Sequence, residues 1–284
     1  MEMEEQLYVA CKDGNVQEVQ KLLLNMKINI NCKGSEDLQT PLYIACSKGH
    51  IEVVKLLLND KKIDVNTANS DGITPFYVAC LKGNIEIVKL FLNNEQVHVN
   101  KVDEFGHTPF YIACEKGHIE IVKLLLKNER VRINQASNGD QTPFYAACGR
   151  RYIHIVKLLL NDERIDINQG NMATKTPFYI SCSEGYVDIV ESILASGREV
   201  NLNFINKEGR TAIDIARKNR NAVKSPSQSE EEYQERKTKS IKIVELLESF
   251  ARNSIETRFK LRLELGLAGK IYDDDFCFSF IFFT

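Results

Sequence analysis

Residues 108–126 read TPFYIACEKGHIEIVKLLL. The phrase recurs as TPLYIACSKGHIEVVKLLL at 40–58, TPFYVACLKGNIEIVKLFL at 74–92, TPFYAACGRRYIHIVKLLL at 142–160 and TPFYISCSEGYVDIVESIL at 176–194. Thr40, Thr74, Thr108, Thr142 and Thr176 each lie 34 residues apart. A divergent copy opens at Gln6 (QLYVACKDGNVQEVQKLLL) and a last one at Thr211 (TAIDIARKN). Seven units result, beginning near residues 6, 40, 74, 108, 142, 176 and 211. A fixed period of this size signals one supersecondary unit used over and over, each copy leaning on its neighbours.

The residues of a unit say how it folds. Thr-Pro predicts a helix start, with Thr capping free amides and Pro at the first helical position. Leu42, Tyr43, Ile44, Ala45 and Cys46 are nearly all apolar, so this short helix must be covered on several sides. Glycine ends it at Gly14, Gly49, Gly83, Gly117 and Gly185. A second helix over Ile51 to Leu58 is predicted to bury Ile51, Val54, Leu57 and Leu58 and to turn Glu52 and Lys55 outward. Asp64-Val65-Asn66 and its copies His98-Val99-Asn100, Arg132-Ile133-Asn134 and Asp166-Ile167-Asn168 read as a short extended arm and turn. One unit cannot bury its own faces. Stacked units can, with burial of roughly 1.5–3 kcal/mol per large side chain offsetting the cost of ordering.

These segments resemble ankyrin repeats, whose mark is T-P-L-H-x-A, a Gly-His step and an apolar second helix. Thr40-Pro41-Leu42-Tyr43-Ile44-Ala45 and Gly49-His50 match at every point but one. The family's His is Tyr here, at Tyr43, Tyr77, Tyr111, Tyr145 and Tyr179. In the family that His hydrogen-bonds near the Thr and links units; a Tyr hydroxyl could be placed similarly. The period exceeds the family's roughly 33 residues by one, and the extra residue falls after the second helix, at Asn59-Asp60-Lys61-Lys62. The resemblance covers about residues 4–250. It implies an all-α solenoid of about seven stacked helix-turn-helix units with short hairpin-like fingers. It also implies non-catalytic protein–protein recognition through the concave face and finger tips.

Composition agrees. The 284 residues carry a net charge of -2, against a general nucleic-acid binder, which needs a concentrated basic face. No apolar run approaches the roughly 20 residues that cross a bilayer, and Met1 to Gln6 is polar and acidic, unlike a secretory signal. A cytoplasmic or nuclear monomer with a protein partner is expected. Cys11, Cys46, Cys80, Cys114, Cys148 and Cys182 follow the repeat period, which predicts buried reduced thiols rather than a disulfide or zinc framework. His50, His98, His107, His118 and His154 form no HExxH pair, and the GxGxxG, GxxxxGK[ST] and GxSxG signatures are absent. No catalytic, metal or cofactor residue is therefore assigned.

The seventh unit is interrupted after Ala216. Its second helix resumes at Ile241, so about residues 219–239 are expected as an inserted polar loop, whose last part could extend the following helix. Ser225-Pro226 inside it fits a proline-directed phosphorylation site. In the tail, 251–284, Phe259 to Leu267 alternates like a strand yet is rich in helix formers. Phe276 to Phe283 (FCFSFIFF) is almost wholly apolar, and is read as an end cap, or else as a docking peptide. The docking reading would make the chain an adaptor whose tail recruits a second machine, such as a ubiquitin ligase.

Binding residues are read from variation among the chain's own copies. Positions just before Thr-Pro and just before the Gly step change freely. The candidates are Leu38, Gln39, Ile73, Leu81, Phe105, His107, Glu115, Gln141, Arg150 and Lys175. Leu38, Ile73, Leu81 and Phe105 are apolar where solvent is expected, as hot-spot anchors are. Ile73, Leu81, Phe105 and His107 are expected to form one contact patch on the third and fourth units. In the fifth, Gly149-Arg150-Arg151-Tyr152 replaces the usual x-Lys-Gly-His; two arginines there would suit an acidic partner, and Arg151 in glycine's place would weaken the helix end.

Overall fold

The structure, a computed structural model, describes residues 2–34 and 37–267. Among these the chain is all-helical, with no strand. Two compact units are distinguished, divided at 177/178.

The first unit holds five helix pairs: α1 (Glu2–Asp13) with α2 (Val16–Leu23), α3 (Pro41–Lys48) with α4 (Ile51–Leu58), α5 (Pro75–Lys82) with α6 (Ile85–Leu92), α7 (Pro109–Lys116) with α8 (Ile119–Leu126), and α9 (Pro143–Gly149) with α10 (Ile153–Leu160). First helix packs on first helix and second on second, layer after layer. Thr40, Thr74, Thr108 and Thr142 cap their helices, each Oγ1 accepting from the amide of the tyrosine three residues on. The first helices α3, α5, α7 and α9 are buried nearly all round, as at Pro41 to Cys46. The second helices differ from expectation. In α4, Val53, Val54 and Leu57 are buried while Ile51 and Leu58 are only half-buried. α4, like α6 and α8, has a layer on either side as well as its own first helix, so its buried sector is rotated from a single-stripe reading.

The six periodic cysteines are free and buried, and burial pushes the thiols of Cys11, Cys46, Cys80, Cys114 and Cys182 up, that of Cys11 to about 12. They are small core residues in this structure.

Three periodic hydrogen-bond devices tie one layer to the next. Asparagine makes the first. Asn66 accepts at Oδ1 from the amide of His98 (2.8 Å) and donates through Nδ2 to the carbonyl of Gln96 (2.8 Å). Asn31, Asn100 and Asn134 do the same toward Lys62 and Asp64, Arg130 and Arg132, and Arg164 and Asp166. A side chain that completes both an acceptor and a donor of a neighbouring turn leaves little room for substitution.

The second device is basic. The Arg130 guanidinium donates to the carbonyls of Leu92 and Glu95, both at 3.1 Å, and Arg164 donates to that of Leu126 (2.9 Å). These carbonyls lie at or just past the ends of α6 and α8, where a helix has no N–H donors of its own left to satisfy them. Lys62 reaches Met26 likewise. The basic residue sits in a turn held by Asp60, Asn128 or Asp162, whose Oδ1 accepts from the amide two residues on; Asn94 holds the same turn around Gln96. The extra residue of the 34-residue period falls in the stretch that builds this turn.

The third device is the Gly-His step. The Lys12 carbonyl accepts from Nε2 of His50 (3.0 Å), and that of Leu81 from Nε2 of His118 (3.0 Å); Asn84 donates equivalently to Cys46 (2.7 Å).

In α9 the glycine is missing. Arg151 takes the left-handed conformation with φ 60, which disfavours any side chain by roughly 1–2 kcal/mol. Arg151→Gly should therefore raise the unfolding free energy by about 1 kcal/mol, measured by urea denaturation.

The second unit contains α11 (Pro177–Glu184), α12 (Val187–Ala195), α13 (Ala212–Asn221), α14 (Glu230–Arg252) and α15 (Ser254–Glu264). α13 packs on α14, and α15 on both α12 and α14. Of the segment 219–239, only 222–229 is irregular; 219–221 close α13 and 230–239 open α14. Ser229 and Glu232 form a capping box that starts α14 early, and Glu235 pairs with Lys239 one turn on. Phe259 to Leu267 resolves into the end of α15 and a following turn, so helix propensity prevails over alternation there. Phe276–Phe283, read as an end cap or docking peptide, lies outside the described residues.

Candidate recognition surface

Four fingers of the first unit are each built on one polar residue five positions before the helix-starting threonine. Asn69 Oδ1 accepts from the amides of Asp71 (3.1 Å) and Ile73 (2.8 Å), and the Asn69 amide donates to the Ile73 carbonyl (3.0 Å). Asp103, Ser137 and Asn171 repeat this clasp. Such side chains close turns because they bond their own following backbone. Neighbouring fingers are joined by single backbone bonds: Ser70 to Asp37, Glu104 to Asp71, Asn138 to Phe105 and Met172 to Gly139, at 2.9–3.0 Å.

The tyrosines at the family's histidine position reach the next finger. Tyr77 donates its hydroxyl to Asp103 Oδ2 (2.9 Å), and Tyr111 to Gln141 Oε1 (3.0 Å); Tyr8 donates to Gln39 (3.1 Å) and Tyr145 accepts from Asn171 (3.1 Å). Within the second unit Tyr179 accepts from Asn206 (3.0 Å). Burial, reinforced by the Asp103 charge, pushes the Tyr77 hydroxyl well above its ordinary value, so it stays a donor.

The ten sequence candidates fall into distinct environments. Phe105 is 59% exposed at the tip of the third finger, its carbonyl held by Asn138. Its ring lies 5.9 Å from that of His107. His107 stacks on Tyr111 at 4.4 Å and places Nδ1 3.0 Å from Asp103 Oδ2. Glu115, two turns on from His107 (counting Tyr111 between them), is bonded by Arg150 (2.6 Å) and Lys116 (3.1 Å). Burial alone would raise the Glu115 carboxyl; the two cations outweigh it and hold it below the usual range. Phe105, His107, Glu115, Arg150 and Gln141 thus belong to one neighbourhood spanning the fourth and fifth layers, knit by Tyr111.

Ile73 is half-buried in the second finger, its amide held by Asn69, and Leu81 is half-buried in the last turn of α5. Leu38 is exposed at φ 55 in the first finger, and Gln39 is engaged by Tyr8. Lys175 is half-buried in the clasp of the fifth finger. Arg150 is committed to Glu115 within the chain, so the pair of arginines is not two free charges offered to an acidic partner.

Sequence reasoning missed the finger-base residues Asn69, Asp103, Ser137 and Asn171. Their signal was present: short polar acceptors recurring at the repeat period, each five residues before Thr-Pro. Among the described residues, no cluster of His, Cys, Asp and Glu could hold a metal ion, and no helix is long and apolar enough to cross a membrane.

The comparisons fit this geometry. The family model for ankyrin repeats, three copies long, matches residues 7–103, 76–171 and 144–225. Among solved structures, the human ASB11 ankyrin repeat domain is similar at 26% identity with a TM-score of 0.61, over 81% of this chain and 96% of that one. No curated protein matches the sequence. The seven-fold phrase, the capped helix pairs and the clasped fingers are those of a chain that belongs to the ankyrin-repeat family.

Proposed function

We propose that the chain is a non-catalytic recognition scaffold that grips a protein partner through its fingers and first-helix edges, centred on Phe105. Ankyrin repeats are in general protein–protein interaction modules. The observation that carries the reading is Phe105 itself. A phenyl ring 59% exposed sits on a finger whose amides at Phe105 and His107 are clasped by Asp103 at 3.0 and 2.8 Å. An aromatic on a fixed backbone loses little entropy on binding and displaces water from a large area. Beside it lies His107, and through Tyr111 the neighbourhood extends to the Glu115–Arg150 pair, a polar surround of the kind that borders a binding anchor.

The test is a partner comparison at constant fold. Affinity purification with mass spectrometry is run on the wild type, on Phe105→Ala with Leu81→Ser, and on a control altered at Glu52 on a second helix. Circular dichroism and the melting temperature verify folding. A partner held by wild type and control should be lost from the double variant, its affinity falling about thirtyfold, the roughly 2 kcal/mol typical of a hot spot. Full retention of every partner by the folded double variant refutes the reading.

A further inference from the structure

We propose that the chain's own C-terminal segment Phe276–Phe283 docks on the outer face of α15, over Ile255, Phe259 and Leu263.

The helix has two apolar sides where a surface helix needs one. Its inner side, with Thr257 and Leu261 buried, packs on α12 and α14, and the hydroxyls of Ser249 and Thr257 lie 3.0 Å apart. On the outer side Ile255, Phe259 and Leu263 follow one another at four-residue steps, which puts them on one stripe. They are 59%, 39% and 52% exposed. Three large apolar side chains in a continuous line on an eleven-residue helix make a surface that calls for a cover.

The sequence supplies one nearby. The octad FCFSFIFF begins twelve residues beyond the end of α15 at Glu264. Residues 268–275, extended, reach about 26 Å, while the stripe from Leu263 back to Ile255 is about 12 Å long. The segment can therefore turn back and run antiparallel to the helix. Tethered this closely, it meets the stripe at an effective concentration on the order of millimolar, an advantage an untethered partner lacks. Charge agrees with the same polarity. Asp273, Asp274 and Asp275 stand immediately before the octad, and the C-terminal half of α15 carries Lys260 and Arg262 against the single Glu264. An antiparallel return brings the aspartates to that end. The octad, left uncovered, would be a β-aggregation hazard, so both surfaces gain from the contact.

The test uses the full chain. In a Cys32→Ser background, Phe259→Cys is oxidised with diamide, which takes up two electrons and two protons as the introduced thiol and that of Cys277 join. Peptide mapping should find the two positions linked within one chain, at a yield several-fold above a Glu245→Cys control on α14. A yield no higher than the control overturns the proposal. So does a link that joins two chains in a mixture of isotopically light and heavy protein, which would make a second copy the occupant. Independently, Phe259→Glu with Leu263→Glu alters only exposed positions and should release the octad, raising the fluorescence of an added apolar dye (anilinonaphthalene sulfonate) several-fold. Unchanged fluorescence in the folded variant contradicts docking.

Discussion

Phe110→Ala should lower the free energy of unfolding by about 3–5 kcal/mol, the cost of deleting a fully buried ring. Phe110 is 1% exposed in α7, the first helix of a middle layer, and α7 packs on α5 and α9 as well as on its own α8. The ring is deleted from a helix packed against three others, and the backbone of α7, clamped by the Thr108 cap and the Tyr111 hydroxyl bond, is poorly placed to collapse into the void. In a structure whose layers touch only their neighbours, the lesion should also loosen the coupling between the two sides. Urea denaturation followed at 222 nm should show the lower stability together with a broader transition. A loss below about 1 kcal/mol would mean that the ring does not occupy a closed core.

The second large effect is at Gly83, and it is conditional. Gly83 ends α5 at φ 77, and a Cβ placed there would lie 2.8 Å from the His118 ring of the next layer. Gly83→Ala therefore meets two penalties. The left-handed backbone disfavours a side chain by about 1–2 kcal/mol. Displacing His118 forfeits its bond to the Leu81 carbonyl, worth about 1 kcal/mol. The expected total is about 2–3 kcal/mol. In a His118→Ala background only the backbone part should remain, so the two substitutions should show a coupling of about 1 kcal/mol in a double-mutant cycle. Strict additivity would show that glycine is required there for its conformation alone.

The fold was legible because each local signal agreed with the others. Thr-Pro, the apolar first helix, the glycine end and the 34-residue stride all pointed to one unit, and the structure realises them at Thr108, Pro109 and Gly117 as at their copies. What escaped were relations between copies. Asn66, Asn100 and Asn134 were read as the end of an extended arm, yet each completes the turn of the following layer. A single sequence shows that Asn recurs; which backbone groups it satisfies depends on a neighbour 30–32 residues away. The same holds for Arg130, a surface cation by composition and a helix-end cap in the structure.

The recognition surface was partly legible. Phe105 was singled out by being apolar in a polar turn, and it is exposed. Ile73 and Leu81 were singled out on the same ground and are half-buried, Ile73 in the finger clasp of Asn69 and Leu81 in the last turn of α5. Glu115 and Arg150, read as separate variable positions, are one ion pair bridging two layers. Pairing of this kind depends on the stacking offset between layers, which the period alone leaves open.

The central claim is that the copies of the first unit stack as successive layers, and a distance series tests it most directly. Spin labels are placed in pairs at Glu52, Glu86, Glu120 and His154, equivalent exposed sites on α4, α6, α8 and α10. Cys32 and Cys277 are replaced by serine, and the buried thiols, pushed up in pKa, stay unlabelled. Double electron–electron resonance should give separations from Glu52 that grow with each layer by about 8–10 Å, the spacing of packed helices. A series that fails to grow, with His154 no farther from Glu52 than Glu86 is, would mean that the copies fold around a common centre, and would contradict the layered account.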